Sequence, residues 1–202
     1  MSEPRNRALH EIVLASSSPR RLELLRSLGL TVEVVPSGYD EPDDDAVAPE
    51  ELARRHARAK IEAVRGRYPE RAVLAADTVV DLDGRALGKP RDAADAARML
   101  RSLSGRRHRV HTAYALALPG VEGPIERLST TRVHFHALDD AEIAAYVASG
   151  EPMDKAGAYG IQGRAAALVA SIDGDYFTVM GFPLGDFIRI VRRSGFALPE
   201  SK

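Results

Sequence analysis

Cysteine is absent from the 202 residues of the chain, and aromatic residues make up only 5% of it. Without cysteine, disulfides, thiol nucleophiles and cysteine-based zinc sites are excluded, and a cytoplasmic protein is the natural expectation. With so few aromatic rings, no stacking platform accompanies the basic segments, so no nucleic-acid partner is expected.

Long apolar runs are also missing. No stretch approaches the length of a membrane span, and the charged N-terminus has no apolar signal-peptide core, so no membrane partner is expected. The formal net charge is −1, and the basic clusters at 54–56 and 106–109 are interpreted as solvated surface. The glycine patterns of P-loop NTPases, dinucleotide-binding enzymes and α/β-hydrolases do not occur.

What is present predicts an α/β domain with a mixed sheet. A buried strand at 11–15, a helix at 18–28 and a strand after Gly29 form a β-α-β opening. Asp83-Gly84 predicts a hairpin turn after a buried strand. The other predicted helices span Pro49 to about Arg65, 92–103, 139–148 and 183–193, and the later strands 107–118, 126–137 and 166–172. We expect one domain over residues 1–202.

The start of the first helix contains an unusual charge pattern. Ser18 suits the N-cap and Pro19 the first helical position. Arg20 and Arg21 then occupy the first turn, where the positive end of the helix dipole makes a cation unfavourable by about 0.3–1 kcal/mol. A bound phosphate would reverse that sign, because helix N-termini bind anions. The alternative is that both arginines simply face water.

Two acidic features are candidates for chemistry. Asp77 follows an apolar run, so we expect it at or near the end of a buried strand, as a metal ligand, a general base or a structural cap. One member of the acidic loop at 40–45 could meet it across a cleft and help to hold a divalent cation.

Among the basic residues, Lys89 in "GKP", Lys60 and Lys155 are candidates for phosphate contacts. His134 and His136 share one face of a strand, whereas His108 and His111 point to opposite faces. With no third ligand evident, we do not expect a histidine-based zinc site.

Taken together, several blocks resemble the Maf family: "LASSSPRRLELL", "AADTVV", "LGKPRDAADAARMLRSLSGRRHRVHTA" and "GEPMDKAGAYGIQG". The similarity continues through "IDGDYFTVMGFPL" and extends from about Ile12 to Ile190, with the blocks in the same order. The resemblance implies a nucleoside triphosphate pyrophosphatase that releases a nucleoside monophosphate and pyrophosphate. It also implies a fold like that of inosine triphosphate pyrophosphatases, with two lobes around a deep cleft, a divalent cation (Mg²⁺ or Mn²⁺), a homodimer and a link to septum formation.

The resemblance also assigns roles to individual residues. Asp77 matches the proton acceptor, and with Glu41 it would hold the cation. The positions matched to substrate binding are Ser16, Arg20, Arg21, Lys60, Lys89, Thr78 and Gln162. The segment before Lys60, "RRHARA", is more basic and alanine-rich than the family pattern.

Base selection is predicted to favour dTTP and UTP. The sequence resembles the branch of the family that hydrolyses these nucleotides, because the helix start reads "SPRR" without an inserted aromatic residue and Thr78 and Gln162 match the positions beside the base. Arg20 also matches a position tied to base selection. The Gln162 amide offers a donor and an acceptor, which suits the edge of uracil or thymine. Two alternatives remain: a 7-methyl-GTP pyrophosphatase of the same family, and a nucleotide-binding regulator of cell division with weak catalysis.

Overall fold

The structure, a computed structural model, describes residues 7–42 and 44–199, so Asp43 of the acidic loop lies outside the described residues. In these described residues, nine strands run over Arg7–Ala8 (β1), Glu11–Leu14 (β2), Thr31–Val34 (β3), Ala72–Leu82 (β4), Arg85–Leu87 (β5), Arg107–Ala117 (β6), Ile125–Phe135 (β7), Val169–Asp173 (β8) and Phe196–Ala197 (β9). The same part of the chain contains six α-helices, which run over Pro19–Ser27 (α1), Pro49–Arg65 (α2), Ala93–Leu103 (α3), Asp140–Ala148 (α4), Tyr176–Met180 (α5) and Leu184–Arg193 (α6).

The expected mixed α/β sheet is confirmed. Within residues 7–42 and 44–199, seven strands form one sheet in the order β3-β2-β4-β6-β7-β8, with β5 beside the end of β4. The β2 strand is parallel to β3 and β4, and the remaining pairs of this sheet are antiparallel. The short β1 and β9 form a separate parallel pair.

Most predicted elements lie within a residue or two of their expected bounds. The turn at Asp83-Gly84 has positive φ at both residues, 56° and 83°, as a type I′ hairpin turn requires. The strand expected at 166–172 is wrong at its start, because residues 163–167 form a short 3₁₀ helix before β8 begins at Val169. The short helix α5 was not predicted.

The β4 strand organises the interior because its side chains alternate between two faces. Val73, Ala75 and Val79 pack in apolar clusters with residues of α2. On the other face, Leu74 and Ala76 pack with residues of α1 and α6, and Val80 packs with residues of α3 and α4.

A gap along one edge of β4 opens the sheet at its centre. The β2 strand pairs with Ala72–Leu74 and the β5 strand pairs with Val80–Leu82 on that edge. Among the described residues, no strand pairs with positions 75–79 there, so the middle of β4 faces the turn that leads into α1. In the described part of the chain, no helix is long and apolar enough to cross a membrane.

Candidate active site

A cavity of about 750 Å³ opens at this gap in the sheet. Its walls come from the turn and first residues of α1, the middle of β4, the segment after β5, and the loop of residues 151–163. Nine of the residues proposed from the sequence line it: Ser16, Arg20, Arg21, Glu41, Asp77, Thr78, Lys89, Lys155 and Gln162. Lys60 lies behind this wall and is only 5% exposed.

The start of α1 forms as expected, and it holds its second arginine inside the protein. Ser18 is the N-cap and accepts a hydrogen bond from the Arg21 amide. The Arg21 guanidinium donates to the Ser16 hydroxyl at 3.0 Å, to the Thr78 hydroxyl at 3.1 Å and to the Gly181 carbonyl at 2.9 Å. Burial lowers the pKa of Arg21, while the charges of Asp77 and Glu41 raise it.

These contacts show that the alternative in which both arginines simply face water is wrong for Arg21, which is only 8% exposed. Arg21 already has protein partners for three of its donor groups, so it contributes to the fold without any substrate. Arg20 is different, because its side chain is 29% exposed and its nearest charged partner, Asp154, is 3.7 Å away. Arg20 is therefore the cation of this pair that remains available at the cavity.

Asp77 lies in the middle of β4, which corrects the expectation that it ends a strand. Its position is nevertheless edge-like on one side, because β2 stops pairing at Leu74. Asp77 is 4% exposed and projects from the face that carries α2. A carboxylate in this position needs polar partners, since an isolated buried charge is very unfavourable.

Those partners come from one helix and one loop. The Lys60 ammonium lies 2.6 Å from the Asp77 Oδ1 and 2.6 Å from the Glu41 Oε1, so it bridges the two carboxylates. The His56 Nδ1 lies 3.4 Å from the Asp77 Oδ2. We refer to Glu41, His56, Lys60 and Asp77 as the cleft cluster.

The cleft cluster keeps Asp77 ionised. Burial alone would raise the pKa of Asp77, but His56, Lys60 and Arg21 outweigh that effect and lower the pKa to about 2. Burial would likewise raise the pKa of Glu41, and Lys60 and Lys89 lower it below its ordinary value. Both carboxylates are therefore negatively charged acceptors at neutral pH.

Helix α2 provides His56 and Lys60 of the cleft cluster, because both residues lie on its buried face. Its buried residues are Pro49, Leu52, Ala53, His56, Ala57, Lys60, Ile61 and Val64, which is the i, i+3, i+4 spacing of a helix face against a core. His56 and Lys60 are one turn apart on that face and both reach Asp77.

His56 was missed as a functional residue, because the basic cluster at 54–56 was interpreted as solvated surface. That interpretation is wrong for His56, which is 4% exposed, and also for His108 of the second basic cluster, which is 3% exposed. The available signal was the helical spacing that places His56 on the same face as Leu52 and Lys60.

The donor set of the cleft cluster fits a hard divalent cation. Glu41 and Asp77 offer carboxylate oxygens on either side of one ammonium group, and the Glu41 side chain is 38% exposed. Mg²⁺ is commonly bound in proteins by one or two carboxylates, with water and substrate phosphates completing the shell. The two carboxylates and the adjacent cavity supply that arrangement.

The two groups predicted to meet the base come from different walls of the cavity, Gln162 from the loop of residues 151–163 and Thr78 from β4. Gln162 is exposed in its loop, next to Gly163, whose φ of +67° is unfavourable for other residues. A Cβ at Gly163 would also lie 2.9 Å from the Glu151 carboxylate. Thr78 is committed differently, because its hydroxyl contacts both Arg21 and the Thr112 hydroxyl.

The phosphate-side lysines also differ from one another. Lys89 has an exposed side chain whose ammonium lies 3.5 Å from the Glu41 carboxylate. Lys155 is held more tightly, donating to the Glu151 carbonyl and to the Asp154 carboxylate, both at 2.6 Å. Lys89 is thus the lysine with the greater freedom to reach a ligand in the cavity.

Comparison with known proteins matches this chain to the family described as Maf-like protein over residues 11–194. A dTTP/UTP pyrophosphatase of Koribacter versatilis is 48% identical over 184 residues, which cover 91% of this chain and 94% of that protein. A dTTP/UTP pyrophosphatase of Symbiobacterium thermophilum is 49% identical over 192 residues, which cover 94% of this chain and 97% of that protein. Among solved structures, the Ham1 protein of Staphylococcus aureus matches with a TM-score of 0.43 and 19% identity, over 62% of this chain and 71% of that one.

Proposed function

The chain belongs to the Maf-like family, and we propose that it is a dTTP/UTP pyrophosphatase, a single-domain hydrolase that releases the nucleoside monophosphate and pyrophosphate. The observation that carries the proposal is the cleft cluster, in which two ionised carboxylates share one lysine at the wall of a cavity of about 750 Å³. The two bacterial relatives described above, each at least 48% identical over more than nine-tenths of this chain, carry that name.

In this proposal Asp77 accepts a proton from the attacking water and holds that water molecule in line with the α-phosphorus. Ionisation at neutral pH makes Asp77 an acceptor, but a carboxylate with a pKa of about 2 is a weak base toward free water. A divalent cation bound by Glu41 and Asp77, Mg²⁺ or Mn²⁺, would lower the pKa of that water and neutralise phosphate charge.

The cations at the cavity bind the triphosphate. The half-buried Arg20 and the exposed Lys89 are the donors available at the cavity, and the amides at the start of α1 add the positive end of a helix. Charge-assisted hydrogen bonds of this kind stabilise the charge that develops on the pyrophosphate leaving group. Lys60 holds Glu41 and Asp77 at a fixed separation, and Arg21 fixes Ser16 beside the phosphates.

We assign pyrimidine selection to Gln162, with Thr78 and Arg20 beside it. The Gln162 amide presents a donor and an acceptor to the edge of uracil or thymine, which has an N–H between two carbonyls. We expect Gln162→Ala to lower kcat/KM for dTTP and UTP, with a loss of transition-state stabilisation of about 1–3 kcal/mol, and to change kcat/KM for GTP much less. An equal loss for pyrimidine and purine substrates would mean that Gln162 supports its loop and does not select the base.

The test of the activity is pyrophosphate release from dTTP, UTP, CTP, GTP and 7-methyl-GTP, each with Mg²⁺ and with Mn²⁺. We expect the highest kcat/KM for dTTP and UTP and no release after EDTA treatment. A preference for 7-methyl-GTP would favour the other branch of the family. Tight nucleotide binding without pyrophosphate release would favour a regulator of cell division.

We further propose that the enzyme works in the cytoplasm as a homodimer and has neither a nucleic-acid nor a membrane partner. The absence of cysteine supports the cytoplasmic location, and the near-zero net charge supports the absence of a nucleic-acid partner. Sedimentation velocity of the purified chain tests the dimer, and a sedimentation coefficient of a monomer at micromolar concentration would contradict it. A role in septum formation is tested by cell length after deletion and after complementation with Asp77→Asn.

A further inference from the structure

A second carboxylate–imidazole cluster lies on the α2 face of β4, outside the lining of the cavity. It consists of Glu50, Asp81 and His111, and we refer to it as the outer cluster. One ligand atom from each residue lies within 4.8 Å of the other two. Asp81 and His111 are 3% and 4% exposed, whereas Glu50 is exposed in the first turn of α2.

Both buried members are oriented by hydrogen bonds to the atoms that face away from the cluster. The Asp81 Oδ1 accepts from the Gly84 amide of the hairpin turn at 2.7 Å, which directs Oδ2 toward His111. The His111 Nδ1 lies 2.9 Å from the Thr130 hydroxyl, which directs Nε2 toward Asp81. Metal-binding histidines and carboxylates are typically fixed in this way by outer-shell partners.

The charge around Asp81 is only partly balanced. The nearest guanidinium, that of Arg109, has a side chain that is 58% exposed and lies 3.5 Å from Asp81, longer than a charge-assisted hydrogen bond. The His111 Nε2 lies 3.2 Å from the Asp81 Oδ2. A proton on the His111 Nε2 is sufficient to join His111 and Asp81 by a hydrogen bond. Glu50 places a second carboxylate beside this pair, so a metal ion bound there would have three protein ligands.

We propose that the outer cluster binds a divalent transition-metal ion, with Zn²⁺ as the best fit. When Thr130 accepts the proton of the His111 Nδ1, the Nε2 lone pair is free to coordinate. One imidazole and two carboxylates suit Zn²⁺, whereas Mg²⁺ prefers an all-oxygen shell. Because Glu50 is exposed, solvent reaches the site and water molecules complete the coordination of the ion.

Such an ion joins three elements, since Glu50 lies in the first turn of α2 while Asp81 and His111 belong to β4 and β6. Helix α2 also carries His56 and Lys60 of the cleft cluster. The ion therefore stabilises the helix that positions Asp77, without itself touching the cavity.

The experiment measures metal binding without nucleotide, so its result does not depend on the proposed hydrolysis. Protein stripped with EDTA is loaded with Zn²⁺, passed through a gel-filtration column and analysed for metal, and Co²⁺ binding is followed by visible absorption. We expect one retained Zn²⁺ per chain, a Zn²⁺-dependent rise in Tm, and no competition from millimolar Mg²⁺. Glu50→Gln should abolish retention, and since Glu50 is exposed this variant should fold normally.

Three further variants locate the ion. Thr130→Val, which removes only the outer-shell hydrogen bond, should weaken Zn²⁺ binding by about 10–100-fold. His136→Gln, at an exposed histidine, and Glu41→Gln, in the cleft cluster, should leave this binding unchanged. The proposal is wrong if Zn²⁺ is not retained, if Glu50→Gln and Thr130→Val bind it as the unaltered protein does, or if Glu41→Gln is the variant that loses it.

Discussion

The cleft cluster and the outer cluster each pair a histidine with an aspartate on the same face of β4. Asp77 contacts His56 and Asp81 contacts His111, and the two carboxylates are 4% and 3% exposed. Their surroundings differ, because Asp77 shares Lys60 with Glu41 at the cavity wall, while Asp81 is held by the Gly84 amide. Burial and a histidine partner therefore do not by themselves bring a carboxylate to the cavity.

The sheet explains the difference. Asp81 is flanked on both sides, by Ala86 of β5 and by Arg109 of β6. Asp77 has a strand partner, Ala113, on the β6 side, and on its other side lies the gap between β2 and β5. A ligand can approach β4 through that gap, and of the two aspartates Asp77 is the one that lines the cavity there.

The largest expected effect separates the two aspartates by activity. Asp77→Asn keeps the shape of the side chain and removes its charge, so turnover on dTTP should fall by roughly 10²–10⁴-fold, the range for a positioned acid–base group. Asp81→Asn is the matched control, equally buried but outside the cavity lining, and its turnover with Mg²⁺ should stay close to that of the unaltered protein. Comparable losses in both variants would contradict the comparison.

The next effect concerns stability and the arginine beside each cluster. Arg21→Gln should lower the free energy of unfolding by about 3 kcal/mol, because buried hydrogen bonds to Ser16, Thr78 and Gly181 are lost. Arg109→Gln, at an exposed position, should cost less than about 1 kcal/mol. Urea unfolding followed by circular dichroism measures both values. Equal stability of Arg21→Gln and the unaltered protein would support the idea that Arg21 waits for a ligand.

The dependence of the unfolding free energy on pH, measured in metal-free protein, tests how the ionised Asp77 of the cleft cluster stabilises the fold. The pKa of Asp77 is lowered to about 2 in the folded protein, so its ionised form stabilises the fold above about pH 4. That stabilisation, on the order of 2 kcal/mol, is lost as the pH falls from about 4 to 2. The difference in unfolding free energy between the unaltered protein and Asp77→Asn should shrink over this interval, and a constant difference would contradict the assignment.

The sequence predicts the elements well because their signals are local. The helix from Pro49 to Arg65 follows from its apolar spacing, and the turn at Asp83-Gly84 from residues that tolerate positive φ. The sites depend on pairings far apart in the chain. His111 reaches Asp81 only because β4 and β6 pair with Val79 opposite His111 and with Asp81 opposite Arg109.

The cleft cluster shows the same limit. Local patterns pointed to Arg20, Arg21, Asp77 and Lys89, and the family resemblance, which extends over most of the chain, added the other assigned residues at the cavity: Ser16, Glu41, Thr78 and Gln162. The resemblance did not give the role of Lys60 between two carboxylates or the burial of His56, because both depend on how α2 lies across β4. Propensity and spacing do not fix that packing.

The smallest expected effect distinguishes the two histidines. His56 contacts Asp77 through Nδ1, at 3.4 Å, while the described residues provide no hydrogen-bond partner for its buried Nε2. If His56 orients the carboxylate, His56→Phe should lower kcat about tenfold, on the order of 1.4 kcal/mol, with a smaller change in KM. His56→Asn should restore most of this loss, because its amide can donate from the position of Nδ1. The same two substitutions at His111 should leave kcat with Mg²⁺ unchanged, since that histidine lies outside the cavity lining. If His56→Phe and His56→Asn are equally impaired, His56 contributes packing alone and Lys60 is sufficient to position Asp77.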